Sequence, residues 1–135
     1  MSIIEANRVG ETHSYSSKVT DALVRAFAKI SGDFNPLHLD DEHAKETMFG
    51  ERIAHGALVT SFVSAALAEF GGGTVVYLNQ NFDFVKPVYI GDEVTATVEV
   101  VEENEGEKGE LLTDVNVTNG DGETVVRGTA SILIL

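Results

Sequence analysis

The sequence predicts an α+β domain in which an antiparallel β-sheet of about five strands wraps around one long central helix. Residues 56–70 are apolar on nearly all sides of a helix, which is typical of a buried helix. Residues 74–135 contain four strand patterns separated by turn residues, and a fifth pattern lies near the start of the chain. Such a sheet can bury the helix on its concave face, so we expect a two-layer domain.

The N-terminal part of the chain predicts one strand and two shorter helices. Residues 12–19 alternate loosely, as a strand does. Thr20 can cap a helix whose apolar residues follow at helical spacing, namely Leu23, Ala26, Phe27 and Ile30. Gly32 ends this helix, and we expect Pro36 to prevent its resumption. A further short helix is predicted from about residue 41 to residue 47.

Four strands are predicted after the central helix, at residues 74–85, 93–103, 110–118 and 123–135. The sequence GGG at 71–73 stops the helix before them. The sequence NGDG at 119–122 is a strong hairpin signal, and the Gly-punctuated charge run at 102–110 is typical of a solvated hairpin tip. Because short loops join the last three strands, we expect these strands to pair antiparallel.

Length and composition limit the classes of protein to which this chain can belong. Its 135 residues fit one domain, residues 1–135, without a linker. The absence of cysteine excludes disulfides, thiolate nucleophiles and cysteine-ligated zinc. The longest apolar stretch, residues 54–70, is too short and too polar for a membrane span, and the first residues do not have the pattern of a signal peptide. We therefore expect a cytoplasmic protein without a membrane partner.

The chain is strongly acidic, with nine Lys and Arg against 22 Asp and Glu and a net charge of −13. Clustered basic side chains are needed for phosphate contacts, so this charge argues against a nucleic-acid partner. An ordinary soluble acidic protein is the simpler interpretation. The alternative is a high-salt cytoplasm, because at about 1 M salt the Debye length falls to roughly 3 Å and the self-repulsion is screened.

The stretch SGDFNPLHLD, residues 31–40, carries the candidate chemistry. A carboxylate and an imidazole can share one water, so Asp33 and His38 are candidate acid–base residues. Pro36 restricts the backbone between them, and the amide of Asn35 suits the local hydrogen bonds of a bend. The same pattern also occurs as a simple turn, so the motif alone leaves a structural role open.

A second candidate site lies at the start of the predicted central helix. A helix N-terminus presents unpaired N–H groups, and Gly56 there lets a ligand approach the backbone closely, which suits the stabilisation of an oxyanion. Close helix packing is the alternative role for this glycine. Ser64 lies two turns further along, where a hydroxyl is more often a satisfied core group than a catalytic one.

The other histidines give weaker signals. His55 precedes Gly56, and we expect it to shape the start of the helix. His13 and His43 have no nearby partner pattern, so we expect them to face solvent. No pair of histidines has the spacing of a zinc site, and no metal is predicted.

Three blocks of the sequence resemble a known family. FAKISGDFNPLHLDDEHA at 27–44 closely resembles the signature of the (R)-specific enoyl-CoA hydratases, also called hydratase 2 or MaoC-like dehydratases. IAHGAL at 53–58 and FVKPVYIGDEV at 84–94 resemble its two other recurrent blocks, which are shared more widely among hotdog-fold proteins. The blocks follow the family's order, and the resemblance covers nearly the whole chain.

The resemblance implies a hotdog fold and a homodimer whose sheets join edge to edge, with an acyl-CoA substrate entering at the subunit interface and no separate cofactor. It implies that water held between Asp33 and His38 attacks C3 of a trans-2-enoyl-CoA, while the N–H of Gly56 binds the thioester oxygen. The product is then a (3R)-3-hydroxyacyl-CoA. Ser64 and Asn35 correspond to residues that help to form the substrate site. The length matches short members related to the hydratases that supply polyhydroxyalkanoate synthesis.

Other activities stay open at this point. A MaoC-like dehydratase or hydratase for a branched or dicarboxylic acyl-CoA is a close alternative, and a hotdog thioesterase is a more distant one. A non-catalytic acyl-CoA-binding subunit belongs to a different class. Arg52 and Lys86 are the basic residues nearest in sequence to the expected site, and so are candidates for contacts with the CoA phosphates.

Overall fold

The computed structural model describes residues 8–71, 73–103 and 109–135. The elements are β1 (Thr12–Lys18), α1 (Asp21–Ser31), α2 (Pro36–Leu39), α3 (Asp41–Lys45), α4 (Gly56–Leu67), β2 (Val75–Phe84), β3 (Glu93–Glu103), β4 (Glu110–Thr118) and β5 (Thr124–Ile134). Part of the predicted hairpin tip, residues 104–108, lies outside the described residues, as does Gly72. Among the described residues, no helix is long and apolar enough to cross a membrane.

One antiparallel sheet contains all five strands in the order β1-β3-β4-β5-β2. The predicted strand number and the antiparallel pairing of the last three strands are therefore confirmed. The turn between β4 and β5 forms at the NGDG sequence, where the side chain of Asn119 accepts hydrogen bonds from the N–H groups of Asp121 and Glu123, each at 3.0 Å. β1 and β2 are the two edges of this sheet.

Helix α4 lies on the concave face of the sheet, as predicted. Its buried residues are Leu58, Val59, Phe62, Val63, Ala66 and Leu67. They face the inward side of β3, where every second residue is buried, namely Val94, Ala96, Val98 and Val100. The prediction that this helix is buried on nearly all sides is wrong for the isolated chain, because Ala57, Ser61 and Ser64 form an exposed stripe along it.

Local capping chemistry sets the bounds of α1. The hydroxyl oxygen of Thr20 accepts the N–H of Leu23 at 3.1 Å, which satisfies one of the unpaired donors of the first turn. Gly32 ends the helix in the left-handed conformation, with φ of 82°, and donates its N–H to the carbonyl of Ala28. Both predicted boundaries are confirmed.

The helix that Gly32 ends does not resume, as predicted, but a separate short helix that was not predicted begins at Pro36. Pro36 is the first residue of α2, in the first turn, where backbone N–H groups have no partner within the helix. Asn35 caps this short helix, because its side-chain oxygen accepts the N–H of Leu37 at 3.1 Å. The candidate motif thus spans a loop and one helical turn.

Candidate active site

The loop between α1 and α2 is shaped by its own short polar side chains. The hydroxyl oxygen of Ser31 accepts the N–H of Asp33, and Oδ1 of Asp33 accepts the N–H of Asn35, both at 3.1 Å. Side chains of this type commonly accept hydrogen bonds from the backbone two residues ahead. The Asp33 side chain is exposed, and one carboxylate oxygen has no hydrogen-bond partner recorded within the described parts of the chain.

His38 lies on α2 with its side chain buried. Its Nδ1 lies 2.8 Å from the carbonyl oxygen of Ile53. A carbonyl oxygen only accepts hydrogen bonds, so Nδ1 must carry a proton. In the neutral imidazole the lone pair then belongs to Nε2, which is the arrangement that a general base needs.

The structure brings Asp33 and His38 together. A carboxylate oxygen of Asp33 and a ring nitrogen from each of His38 and His55 all lie within 4.8 Å of one another. Two polar atoms within this distance of each other can share one bridging water, because each hydrogen bond to that water is about 2.8 Å long. The same three groups are of metal-ligating types, although His38 and His55 each already use one ring nitrogen on a backbone carbonyl.

His55 belongs to this cluster, a placement that the sequence analysis missed. Its side chain is 1% exposed, its Nε2 lies 3.0 Å from the backbone carbonyl oxygen of Asp33, and its ring stacks on that of His38 with centroids 4.0 Å apart. The ring of Phe27 also packs against His55 in a T-shaped contact, with centroids 5.0 Å apart and 61° between the planes. The only signal in the sequence was its place directly before Gly56.

Arg52 ties three helices together instead of remaining free for a CoA phosphate. Its Nε donates to the carbonyl of His38 at 2.8 Å, and its guanidinium pairs with Asp21 at 2.5 Å and lies 3.8 Å from Asp41. The side chain is only 10% exposed. Hydrogen bonds from Arg52 and then Arg25 hold the pKa of the Asp21 carboxyl below its usual range.

The N-terminus of α4 opens on the same region. His55 is the N-cap and makes no side-chain capping hydrogen bond, and no acceptor is recorded for the N–H of Gly56 among the residues that the structure describes. A Cβ at this position would lie 2.8 Å from Cε1 of Phe84, so only glycine fits beneath the aromatic ring as it stands.

A cleft of about 450 Å³ lies beside His38 and Gly56. Its walls are mainly apolar, formed by Met48, Phe49, Ile53, Ala54, Val59, Phe84, Val85, Pro87, Val88 and Val126. Lys86 also borders the cleft and pairs with Glu123 at 2.7 Å. A mainly apolar cleft with a few polar groups suits a ligand with an aliphatic part and a single reacting group.

The other predicted site residues take different places. Asn35 shapes the loop through its cap on α2. Ser64 lies on the exposed stripe of α4, eight residues after Gly56, and does not line the cleft of a single chain. At the rise of an α-helix this is about 12 Å from the helix start.

His13 does not face solvent as predicted, whereas His43 is exposed as expected. The Nε2 of His13 lies 2.8 Å from Glu11, and its ring packs edge-on against Phe70, so the side chain is partly buried. The hydrogen bond from Arg8 is the main cause that lowers the pKa of Glu11 to about 2, and His13 lowers it further. His13 lies on β1, and this group of residues is not part of the site.

The chain is similar in sequence to proteins of one known family. The MaoC like domain model matches residues 6–121. The chain is 42% identical to the (R)-specific enoyl-CoA hydratase of Aeromonas caviae over 125 residues, 92% of each chain. It is 35% identical to the enzyme of that name from Rhodospirillum rubrum, over 93% of this chain and 86% of the relative.

A similar solved structure belongs to the same kind of protein as these relatives. The (R)-hydratase from Aeromonas caviae involved in PHA biosynthesis superposes with a TM-score of 0.90 at 37% identity, over 97% of this chain and 99% of that chain. The five-stranded sheet with its central helix is accordingly a hotdog fold, as expected. With a family model matched over most of its length and relatives aligned nearly end to end, this chain belongs to the MaoC-like domain family.

Proposed function

We propose that this protein is an (R)-specific enoyl-CoA hydratase, which adds water to a trans-2-enoyl-CoA and gives a (3R)-3-hydroxyacyl-CoA. The observation that carries the proposal is the placement of polar atoms of Asp33 and His38 within 4.8 Å of each other. His38 and Gly56 line one cleft, and no acceptor for the N–H of Gly56 is found among the described residues. The relatives that match the chain nearly end to end carry the same activity in their names. The apolar cleft that His38 and Gly56 line supplies a place for the acyl chain.

The proposed reaction uses each group for one task. The N–H of Gly56 donates to the thioester oxygen and stabilises the enolate as negative charge develops there. The carboxylate of Asp33 orients a water toward C3, and Nε2 of His38 accepts its proton. A proton then returns to C2 from the same acid–base pair, so one water is added and nothing else is consumed. The reaction needs no separate cofactor or metal.

We propose further that the protein works as a homodimer in the cytoplasm. β2 is an edge strand whose side chains are mostly exposed, and the Ala57, Ser61 and Ser64 stripe on α4 is exposed as well. A second copy that pairs along β2 would cover unpaired edge groups and this stripe together. In that assembly Ser64 would lie near the subunit interface. It would then be able to contact substrate there, although it does not line the cleft of a single chain.

The test of the activity follows the absorbance of crotonyl-CoA with purified protein. Loss of the conjugated enoyl absorbance, with the (3R) product oxidised by a stereospecific dehydrogenase, is the expected result. Release of free thiol without hydration would mean a thioesterase instead. Binding without turnover, across a panel of longer and branched enoyl-CoAs, would mean a non-catalytic subunit.

Light scattering tests the dimer, because two 14.5 kDa chains are expected in one particle. A Ser61→Arg substitution places a bulky charge on the exposed stripe and should shift the protein toward single chains. A single-chain mass for the unaltered protein would contradict the proposed assembly.

A further inference from the structure

We propose that His55 is a positioning residue, which sets the Asp33 carboxylate against His38 by donating its Nε2–H to the backbone carbonyl of Asp33. The inference rests on the proposed function, since it concerns the geometry of the water site. It assigns a task to a buried titratable group that the proposed reaction does not itself use.

The backbone carbonyl of Asp33 fixes the protonation of the His55 ring. Nε2 of His55 lies 3.0 Å from the carbonyl oxygen of Asp33, which can only accept, so Nε2 carries the proton. Nδ1 is then an acceptor, and it is buried without a hydrogen-bond partner among the described residues. A buried nitrogen without a partner destabilises the fold. An apolar side chain would fill this space without that loss, so packing alone does not explain a histidine.

The His55 ring lies between the two halves of the site. His55 stacks on His38 at 4.0 Å with an angle of 29° between the planes, while its hydrogen bond holds the start of the Asp33 loop. Its own carbonyl begins α4 by accepting the N–H groups of Leu58 and Val59. One residue therefore links the backbone of Asp33, the imidazole of His38 and the helix N-terminus that carries Gly56.

The surroundings of the two ring nitrogens leave His55 without a direct chemical role. One nitrogen of His55 is occupied by a carbonyl, and the other is fully buried, so neither can reach a substrate or a bulk water. A group that cannot exchange protons with the reactants acts only through the groups that it holds. A misplacement of about 1 Å at such a supporting contact can cost about 10²-fold in rate.

The experiment compares His55→Gln with His55→Met in the full chain. The two side chains are similar in length and flexibility, and only Gln offers an N–H where Nε2 of His55 lies. We expect H55Q to keep most of the kcat on crotonyl-CoA with an unchanged pH profile. We expect H55M to lose about 10²-fold in kcat with little change in KM. Hydrogen exchange across residues 33–38 should be faster in H55M and unchanged in H55Q.

Several outcomes would overturn the inference. Equal activity of both variants with the unaltered protein would show that the contact does not matter, and equal loss in both would point to the ring itself. If the unaltered protein hydrates no enoyl-CoA, the proposed function fails, and the exchange measurement alone then decides whether His55 holds the loop. Equal exchange in the two variants would reject the positioning role in either case.

Discussion

Two backbone carbonyls decide which nitrogen of each buried imidazole in the site carries its proton. The carbonyl of Ile53 places the proton of His38 on Nδ1, and that of Asp33 places the proton of His55 on Nε2. Only His38 is left with a lone pair that can serve the water site. In the proposed reaction the two histidines therefore have different tasks, although they stack on each other.

Substitutions of the acid–base pair should remove activity without unfolding the protein. Asp33→Asn and His38→Ala should each lower kcat by about 10²–10⁴-fold. His38→Asn is the better control, because its side-chain amide can still donate to the carbonyl of Ile53 while Nε2 is absent. Steady-state rates with crotonyl-CoA measure the loss of activity, and circular dichroism spectra show whether the fold is kept. Near-normal rates in all three variants would remove Asp33 and His38 from the mechanism.

Gly56→Ala should test the close approach of substrate to the helix N-terminus. The added Cβ meets Phe84 at 2.8 Å, but the ring is 59% exposed and can turn away, so the fold should survive. We expect kcat to fall on the order of 10²-fold, the loss typical of one impaired oxyanion donor. Adding Phe84→Leu relieves the clash but not the crowding of the thioester oxygen. Recovery of activity in this double variant would show that the clash alone was responsible.

At the level of elements, Arg52 joins the starts of α1 and α3 to the carbonyl of His38 on α2. Arg52→Met should therefore lower the melting temperature and kcat together, since it leaves the His38 carbonyl without its partner and loosens α2. Arg52→Lys is the matched control, because it keeps the charge but not the forked donor geometry. A melting temperature and rate unchanged in Arg52→Met would show that α2 is held in place without this side chain.

The same ion pair predicts a dependence of stability on pH. The pKa of Asp21 is lowered in the folded chain, chiefly by Arg52, so its contribution is present above the ordinary pKa of about 4. The stability that the ionised Asp21 adds to the folded chain is lost as the pH falls from about 4 through the lowered pKa. The melting temperature of Asp21→Asn should lie below that of the unaltered protein at pH 6, and the difference should shrink in acid. A constant difference across this range would contradict the assignment.

The elements that rest on local chemistry could be predicted from the sequence. The cap at Thr20, the end at Gly32 and the turn at NGDG each depend on residues within four positions of one another. The contacts of Arg52 and His55 could not be predicted from the sequence. Arg52 contacts a residue 14 positions away and His55 contacts one 22 positions away, and these contacts exist only after the chain has folded. The predicted pairing of Asp33 with His38 was within reach because one short motif holds both residues.

For the whole molecule, a net charge of −13 is the property that its fold leaves unexplained. If the charge reflects a high-salt cytoplasm, activity and melting temperature should rise from dilute buffer to molar KCl. The physical reason is that the Debye length falls to about 3 Å at 1 M salt. Full stability and activity in dilute buffer would instead indicate an ordinary acidic protein. The KM for crotonyl-CoA should fall with salt in the first case, because the CoA phosphates are negative too.

The register of the N-terminal edge strand has a consequence for the order of folding. β1 pairs with β3, with Thr12 opposite Glu99, so β1 cannot join the sheet until β3 has been synthesised. Closing so large a loop is slow compared with forming the β4–β5 hairpin. The Asp33 and His38 segment lies within that loop. During refolding, enzymatic activity should therefore return after most of the sheet has formed, and a nascent chain should be inactive until β3 has left the ribosome.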